Sequence, residues 1–192
     1  MTDISRATRR STRLRDYDYG ASGGYFLTIC TDGRKMLFAA PSIKRIVEAA
    51  WHELPAHHAH IEIDELVVMP NHVHAILFLM ASDGVDRAQQ AAPLPRRTLG
   101  VPPGSLGAIV RSFKSRVTRD VRASIGREIA VWQRNYYEHV IRNEAALQRI
   151  RQYIIENPAR WECDRENPSG LADLAEREFD EWIGSHGSIT NK

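Results

Sequence analysis

The sequence has little cysteine and no long apolar run. Only Cys30 and Cys163 occur among 192 residues, far apart and outside any Cys-x-x-Cys pair. This spacing argues against a disulfide framework and against a cysteine-based zinc site. No apolar stretch approaches the roughly 20 residues that a membrane-spanning helix needs. We therefore expect two reduced thiols in a cytoplasmic protein that has neither a signal peptide nor a membrane span.

The charge is small in total but unevenly distributed. The formal net charge is +2, yet residues 96–127 contain seven arginines and one lysine against the single acid Asp120. The first 19 residues hold a second arginine cluster, whereas residues 161–192 are rich in acids. Such clustering suits a phosphate backbone, although a solvated helix face and a disordered tail would look similar. We predict three parts: a basic arm (1–19), one domain (20–162) and an acidic tail (163–192).

The apolar periodicity predicts an α+β domain. The predicted elements are a strand at 24–31, a helix at 42–54, strands at 60–69 and 72–80, a helix at 104–124, a strand at 136–141 and a helix from Asn143 to Pro158. Residues 81–103 carry four prolines and read as a surface loop, and a short helix around 170–183 is predicted. This order matches the ferredoxin-like βαββαβ arrangement, an antiparallel sheet with an added C-terminal helix.

Two histidines on the third predicted strand form the first candidate site. His72 and His74 are two residues apart, so both imidazoles point to the same face of the strand and could share a metal ion. His58 and His60 have the same spacing, and about 0.3 such pairs are expected by chance. The first pair opens an apolar strand, which would hold the rings rigidly. Without further context, two histidines that are satisfied by core hydrogen bonds, or exposed at the end of a strand, are the simpler interpretation.

The last predicted helix supplies the second candidate site. Tyr153 and Asn157 are four residues apart and therefore share one helix face. A tyrosine hydroxyl is a weak nucleophile, because its unperturbed pKa is about 10, but a metal ion that polarises a phosphate eases its task. The amide oxygen of Asn157 could be a further metal ligand. Alternatively, Tyr153 only packs and Asn157 ends the helix before Pro158.

Three motifs resemble one family. M-P-N-H-V-H-A-I-L-F-L at 69–79, W-Q-R-N-Y-Y-E-H-V-I-R-N at 132–143 and Y-I-I-E-N-P at 153–158 are similar to the single-tyrosine HUH transposases, and most of all to the REP-associated tyrosine transposases, which are of the insertion-sequence-200-like type. The resemblance covers roughly residues 20 to 162, with the motifs in the family's order. Residues 163–192 have no counterpart that we can assign.

The resemblance implies a ferredoxin-like core, a Mg²⁺ or Mn²⁺ ion and a tyrosine nucleophile. It places the metal ligands at His72, His74 and Asn157 and the nucleophile at Tyr153. Tyr136 and Tyr137 are expected to be structural, because they precede the catalytic helix. The REP-associated relatives suggest a monomer, and the mobile insertion-sequence relatives suggest a homodimer.

These inferences predict a transposase that nicks and rejoins single-stranded DNA beside a hairpin, such as a REP-like element. Tyr153 would form a 5′-phosphotyrosine and release a 3′-OH, and rejoining needs no ATP, consistent with the lack of a G-x-x-x-x-G-K-[ST] loop. We expect a nucleoid-associated protein. The residues of the helix at 104–124 predicted to bind DNA form a cationic stripe: Arg111, Lys114, Arg116 and Arg119. The rival hypotheses are a catalytically silent DNA-binding module and a metal-dependent phosphodiesterase that uses water.

Overall fold

The computed structural model describes residues 22–81 and 103–169. The main elements in chain order are β1 (Gly23–Cys30), α1 (Pro41–His52), α2 (Leu54–His57), β2 (Ile61–Met69), β3 (His72–Leu79), α3 (Leu106–Ile125), β4 (Tyr137–Ile141) and α4 (Glu144–Glu156). A 3-10 helix over Asn157–Cys163 continues α4. The predicted basic arm, nearly all of the predicted surface loop and the predicted helix at 170–183 lie outside the described residues.

The four strands form one antiparallel sheet in the order β2-β3-β1-β4. This order and the sequence of elements confirm the predicted α+β, ferredoxin-like fold with an added helix. Each predicted strand and helix that falls on described residues is present, with its ends displaced by a residue or two. No helix among these residues has the length and apolar character that a membrane crossing requires.

Local signals in the sequence account for where the helices begin and end. Pro41 is the first residue of α1, a position at which a missing N–H costs nothing. Gly126 ends α3 in the left-handed conformation, with φ of 65°. Asn143 caps α4, because its side-chain oxygen accepts a hydrogen bond of 2.8 Å from the backbone N–H of Ala146.

One face of the sheet carries most of the apolar core. Helices α1 and α3 pack there against alternate residues of the central strands, among them Leu27 and Ala75. Trp51 of α1 and Phe113 of α3 meet edge to face, with ring centroids 5.4 Å apart. Because both helices are amphipathic, their apolar sides cover this face and their polar sides meet solvent.

The opposite face of the sheet is covered by α4. A smaller apolar cluster lies between them, made of Phe26 and Ile76 from the strands and Leu147, Ile150 and Ile154 from the helix. A bidentate ion pair also joins α4 to β2. The guanidinium of Arg151 on α4 lies 2.5 Å from the carboxylate of Asp64, beside the bulge in β2. The alternation of β3 turns His72 and His74 toward this same face, so α4 is brought over the histidine pair.

Candidate active site

His72 and His74 lie at the start of β3, where the strand core holds both rings. Their side chains are essentially inaccessible to solvent, and the ring centroids are 4.4 Å apart. The sequence prediction that the two imidazoles share a face therefore agrees with the structure. His58 and His60 precede β2 instead, and the Nε2 atom of His60 lies 3.0 Å from the backbone oxygen of Gly104.

Asn71 determines which nitrogen of His72 carries the proton. Its side-chain nitrogen donates to the backbone oxygens of Glu166, at 2.7 Å, and Arg34, at 3.5 Å. The amide oxygen is thereby turned to Nδ1 of His72, 2.8 Å away. Since a carbonyl oxygen only accepts, Nδ1 is protonated and Nε2 presents a lone pair. Burial, with the nearby His74, lowers the pKa of His72 well below its usual value, so the ring is neutral.

His74 is fixed from two sides. Its Nδ1 atom lies 2.9 Å from the hydroxyl oxygen of Thr28 on the neighbouring strand. The ring of Phe26 stacks on the imidazole with centroids 5.3 Å apart. The Nε2 atom of His74 points toward α4 and lies 3.3 Å from the hydroxyl oxygen of Tyr153. The histidine pair on β3 and the predicted nucleophile on α4 therefore meet in one place.

Tyr153 is half-buried beside the histidines. Its ring contacts Phe26 edge to face, with centroids 6.1 Å apart. Burial, together with the negative charges of Asp164 and Glu166, raises the pKa of Tyr153 well above its usual value. The phenol is thus protonated at neutral pH, and its attack on a phosphate would need an electrophile that withdraws charge from the phosphate.

Asp164 is a site residue that the sequence analysis missed. One of its carboxylate oxygens, Oδ2, lies 3.7 Å from Nε2 of His72 and 3.8 Å from Nε2 of His74. Burial alone would raise the pKa of Asp164, but the two imidazoles and a hydrogen bond with the Asn157 side chain hold it well below its usual range. The predicted acidic tail thus contributes a buried carboxylate to the site.

Three buried acceptors of this region have no donor in the described parts of the chain, and those of His72 and Asp164 lie 3.7 Å apart. Nε2 of His72, Oδ1 of Asn157 and Oδ2 of Asp164 have no hydrogen-bond partner among the described residues. Acceptors that face one another in a buried space repel unless a cation or proton lies between them. Within residues 22–81 and 103–169, His72, His74 and Asp164 are the only group of three or more His, Cys, Asp or Glu side chains arranged to hold a metal ion. The donor set therefore fits a divalent cation.

The donor chemistry is compatible with the predicted ion without identifying it. Imidazole nitrogens, an amide oxygen and a carboxylate oxygen form a mixed nitrogen and oxygen set that suits Mn²⁺ and related divalent ions. Asn157 is buried at the end of α4. Its side chain is near enough to lower the pKa of both Asp164 and Tyr153, which places the amide beside the carboxylate and the phenol.

The tyrosines of the W-Q motif lie elsewhere. Tyr136 packs beside the larger core and Tyr137 beside the smaller cluster, which agrees with their predicted structural role. The tryptophan of this motif, Trp132, contacts Phe38 and Phe113 and donates its indole N–H to the backbone oxygen of Lys114. The motif therefore joins the end of β1 to α3.

The cationic stripe lies on α3, across the sheet from the histidines. Lys114 donates at 2.6 Å to the backbone oxygen of Gln133, and burial lowers the pKa of this lysine to about 8. Arg116 pairs with Glu53 and Asp120, and Arg119 pairs with Asp120. Arg111 is exposed and makes no ion pair with any residue that the structure describes. The DNA-binding role predicted for these four residues therefore depends most on Arg111.

The chain is similar to known proteins, whereas no family model matches it. A protein of Haemophilus influenzae, described only as uncharacterized, is 36% identical over 169 residues, which are 82% of this chain and 92% of that protein. The solved structure of a REP-associated tyrosine transposase bound to a REP hairpin is 22% identical and has a TM-score of 0.53. Its alignment covers 79% of this chain and 74% of that chain. The chain therefore belongs to one family with the Haemophilus influenzae protein, and it has the fold of the REP-associated tyrosine transposase that its motifs resemble.

Proposed function

We propose that the protein is a transposase that nicks and rejoins single-stranded DNA through a covalent bond to Tyr153. One observation carries the proposal: the Tyr153 hydroxyl lies 3.3 Å from Nε2 of His74, within a buried group of acceptors that fits a divalent cation. A tyrosine that only packs needs one hydrogen-bond partner for its hydroxyl and not a group of buried metal-type ligands. The fold shared with the transposase and the three sequence motifs support the same assignment.

The metal ligands in this proposal are His72, His74, Asn157 and Asp164. When bound, Mg²⁺ or Mn²⁺ would withdraw charge from the scissile phosphate and help to place it. The protein's own part is to hold the ligands in advance. Asn71 and Thr28 orient the two imidazoles, and the sheet and α4 exclude water around them.

The Tyr153 oxygen then attacks phosphorus in line with the leaving group. A bond forms between this oxygen and phosphorus, and the bond from phosphorus to the 3′ oxygen breaks. The phenol loses one proton and the 3′ oxygen gains one, so no other reactant is consumed. A 5′-phosphotyrosine and a free 3′-OH result, and attack by a DNA 3′-OH reverses the step and joins strands.

The proposed substrate is single-stranded DNA next to a hairpin. The solved transposase of the same fold was captured with a REP hairpin. Sequence-independent affinity would come from basic side chains along the phosphate backbone. We assign the cationic stripe to this role, with Arg111 as its main contact because the other three already have partners within the chain.

The experiment is a covalent trap. The protein is incubated with labelled hairpin-bearing single-stranded DNA and Mn²⁺, denatured, and tested for label on one tyrosine. We expect an adduct on Tyr153. Because Tyr153→Phe removes only the nucleophilic oxygen, it should abolish both the adduct and nicking while DNA binding and the thermal unfolding temperature stay unchanged.

Tyr136→Phe is the matched control, since it removes a hydroxyl from a packed tyrosine of the W-Q motif. This variant should nick like the wild type. An adduct that maps to Tyr136 or Tyr137 would disprove the assignment of the nucleophile. Cleavage without any adduct would instead favour a phosphodiesterase that uses water, and tight DNA binding without cleavage would favour a silent binding module.

A further inference from the structure

The segment that follows the 3-10 helix folds back over the histidine pair. We call residues 164–167 the C-terminal strap. Asp164 and Glu166 of the strap are buried although both are acids. The turn is closed by the backbone N–H of Glu166, which donates at 2.6 Å to Oδ1 of Asp164. This bond leaves the second oxygen of Asp164 facing the two imidazoles.

Glu166 attaches the strap to the end of β1 and to the turn behind it. Its Oε2 atom lies 2.5 Å from a guanidinium nitrogen of Arg34 and accepts a hydrogen bond from the thiol of Cys30 at 3.2 Å. The same guanidinium donates to the backbone oxygen of Arg165. Two residues remote in sequence from the histidines, Cys30 and Arg34, therefore fix the strap from one side.

Arg34 adopts an unusual backbone conformation where it meets the strap. Its φ is 54°, and it is the only non-glycine residue with positive φ in the described parts of the chain. This conformation is unfavourable for a residue that carries a side chain. The contacts with Glu166 and Arg165 offset that cost, because a partly buried ion pair fixed by several hydrogen bonds is stronger than an exposed one.

The strap also contacts the residue that orients His72. The side-chain nitrogen of Asn71 donates to the backbone oxygen of Glu166, while its oxygen accepts from His72. The position of the strap is thus joined to two candidate ligands, Asp164 directly and His72 through Asn71. An unattached strap would let the Asp164 carboxylate move to solvent, since burying it without a partner is unfavourable.

We propose that Glu166 is a positioning residue for the metal site, which acts by clamping the strap so that Asp164 is held as a ligand. This inference rests on the proposed function and adds an element that the sequence motifs do not contain. The side chain of Glu166 points to Arg34 and Cys30 and not to the imidazoles. Its effect on the metal is therefore transmitted through Asp164.

The test measures Mn²⁺ affinity by calorimetry and by electron paramagnetic resonance, without DNA. Glu166→Gln keeps the size and the backbone of the residue but weakens the pair with Arg34. We expect about ten-fold weaker Mn²⁺ binding, the range found when a group that supports a metal ligand is removed. Arg34→Gln breaks the same pair from the other side and should give a similar loss. The matched control is Glu162→Gln, an exposed acid of the 3-10 helix that precedes the strap, which should bind Mn²⁺ like the wild type.

The decisive comparison is a double-mutant cycle with Asp164→Asn. If Glu166 acts through Asp164, then Glu166→Gln should change Mn²⁺ affinity by less than about two-fold in the Asp164→Asn background. An equal loss in both backgrounds, or no loss in either, would overturn the inference. If these variants bind Mn²⁺ normally while His72→Ala does not, the strap proposal fails and the proposed function stands. If the wild type binds no Mn²⁺, both fail.

Discussion

The two faces of the sheet differ in the kind of polar group that they bury without a partner. Among the described residues, the α1 and α3 face leaves the indole N–H of Trp51 without an acceptor, whereas the α4 face leaves acceptors without a donor. On the α1 and α3 face, a large apolar core is enclosed by helices whose charged residues are mostly paired, as Arg116 is with Asp120. On the α4 face, a small apolar cluster surrounds three buried acceptors that have no donor among the described residues. One face holds most of the apolar core, and the other holds the group of buried ligands for which we propose a metal ion.

This difference suggests that stability and chemistry can be changed separately. A substitution in the larger core should affect folding before it affects the site. A substitution among the buried acceptors removes groups that are costly to bury without a cation, so it should affect binding and catalysis while folding survives. The following predictions test this separation.

The largest effect is expected from the histidine pair. His72→Ala and His74→Ala should each reduce nicking to background, because each removes a proposed metal ligand, and excess EDTA should do the same to the wild type. DNA binding should be largely retained, since phosphate contacts come mainly from basic residues elsewhere. Gel-based nicking and binding assays measure both properties.

His58→Ala is the control for these variants, because it removes a histidine of the same spacing from outside the site. It should nick almost as the wild type does. Full activity of the wild type in excess EDTA would refute the metal mechanism.

An intermediate effect is expected in the larger core. Phe113→Ala removes a fully buried ring that packs on Trp51, and it should lower the free energy of unfolding by about 3–5 kcal/mol. Tyr153→Phe on the other face should change it by less than about 1 kcal/mol. Urea unfolding measures both, and equal losses would contradict the separation of the two faces.

The smallest effect is expected from the cationic stripe. Replacing Arg111, Lys114, Arg116 and Arg119 together should weaken DNA binding across sequences and flatten its dependence on salt. Since three of the four have partners within the chain, we expect the slope of log K against log salt to fall by about 0.7, as for one phosphate contact on a single strand. Arg111→Ala alone should reproduce most of this change. An unchanged slope would mean that the stripe is only a solvated face.

Local patterns in the sequence were enough to predict which candidate side chains share a face of β3 or of α4. Period-two alternation placed His72 and His74 on one side of β3, and helical spacing placed Tyr153 and Asn157 on one side of α4. What local patterns cannot supply is the meeting of these two elements. The family resemblance predicted this meeting, because it assigns the histidine pair and the tyrosine to one site.

Asp164 was missed for a physical reason. It lies in an irregular turn with no period, among other acids of a segment that we predicted to be a tail. Its role depends on contacts with residues far away along the chain, including those of Glu166 with Cys30 and Arg34. A carboxylate just beyond the helix that carries Tyr153 and Asn157 was the available signal. The predicted domain boundary at residue 162 accordingly stops short of the strap.

The strap also has a consequence for the protein during its synthesis. Asn71 and Glu166 are in contact although they are 95 residues apart in the chain. Because a chain is made from its N-terminus, at roughly 5–20 residues per second, β3 exists for several seconds before the strap leaves the ribosome. During that interval the histidines lack Tyr153 and Asp164, so the candidate site is incomplete until the strap has been made and has folded. Chains that end before the strap should therefore bind Mn²⁺ more weakly than chains that include it.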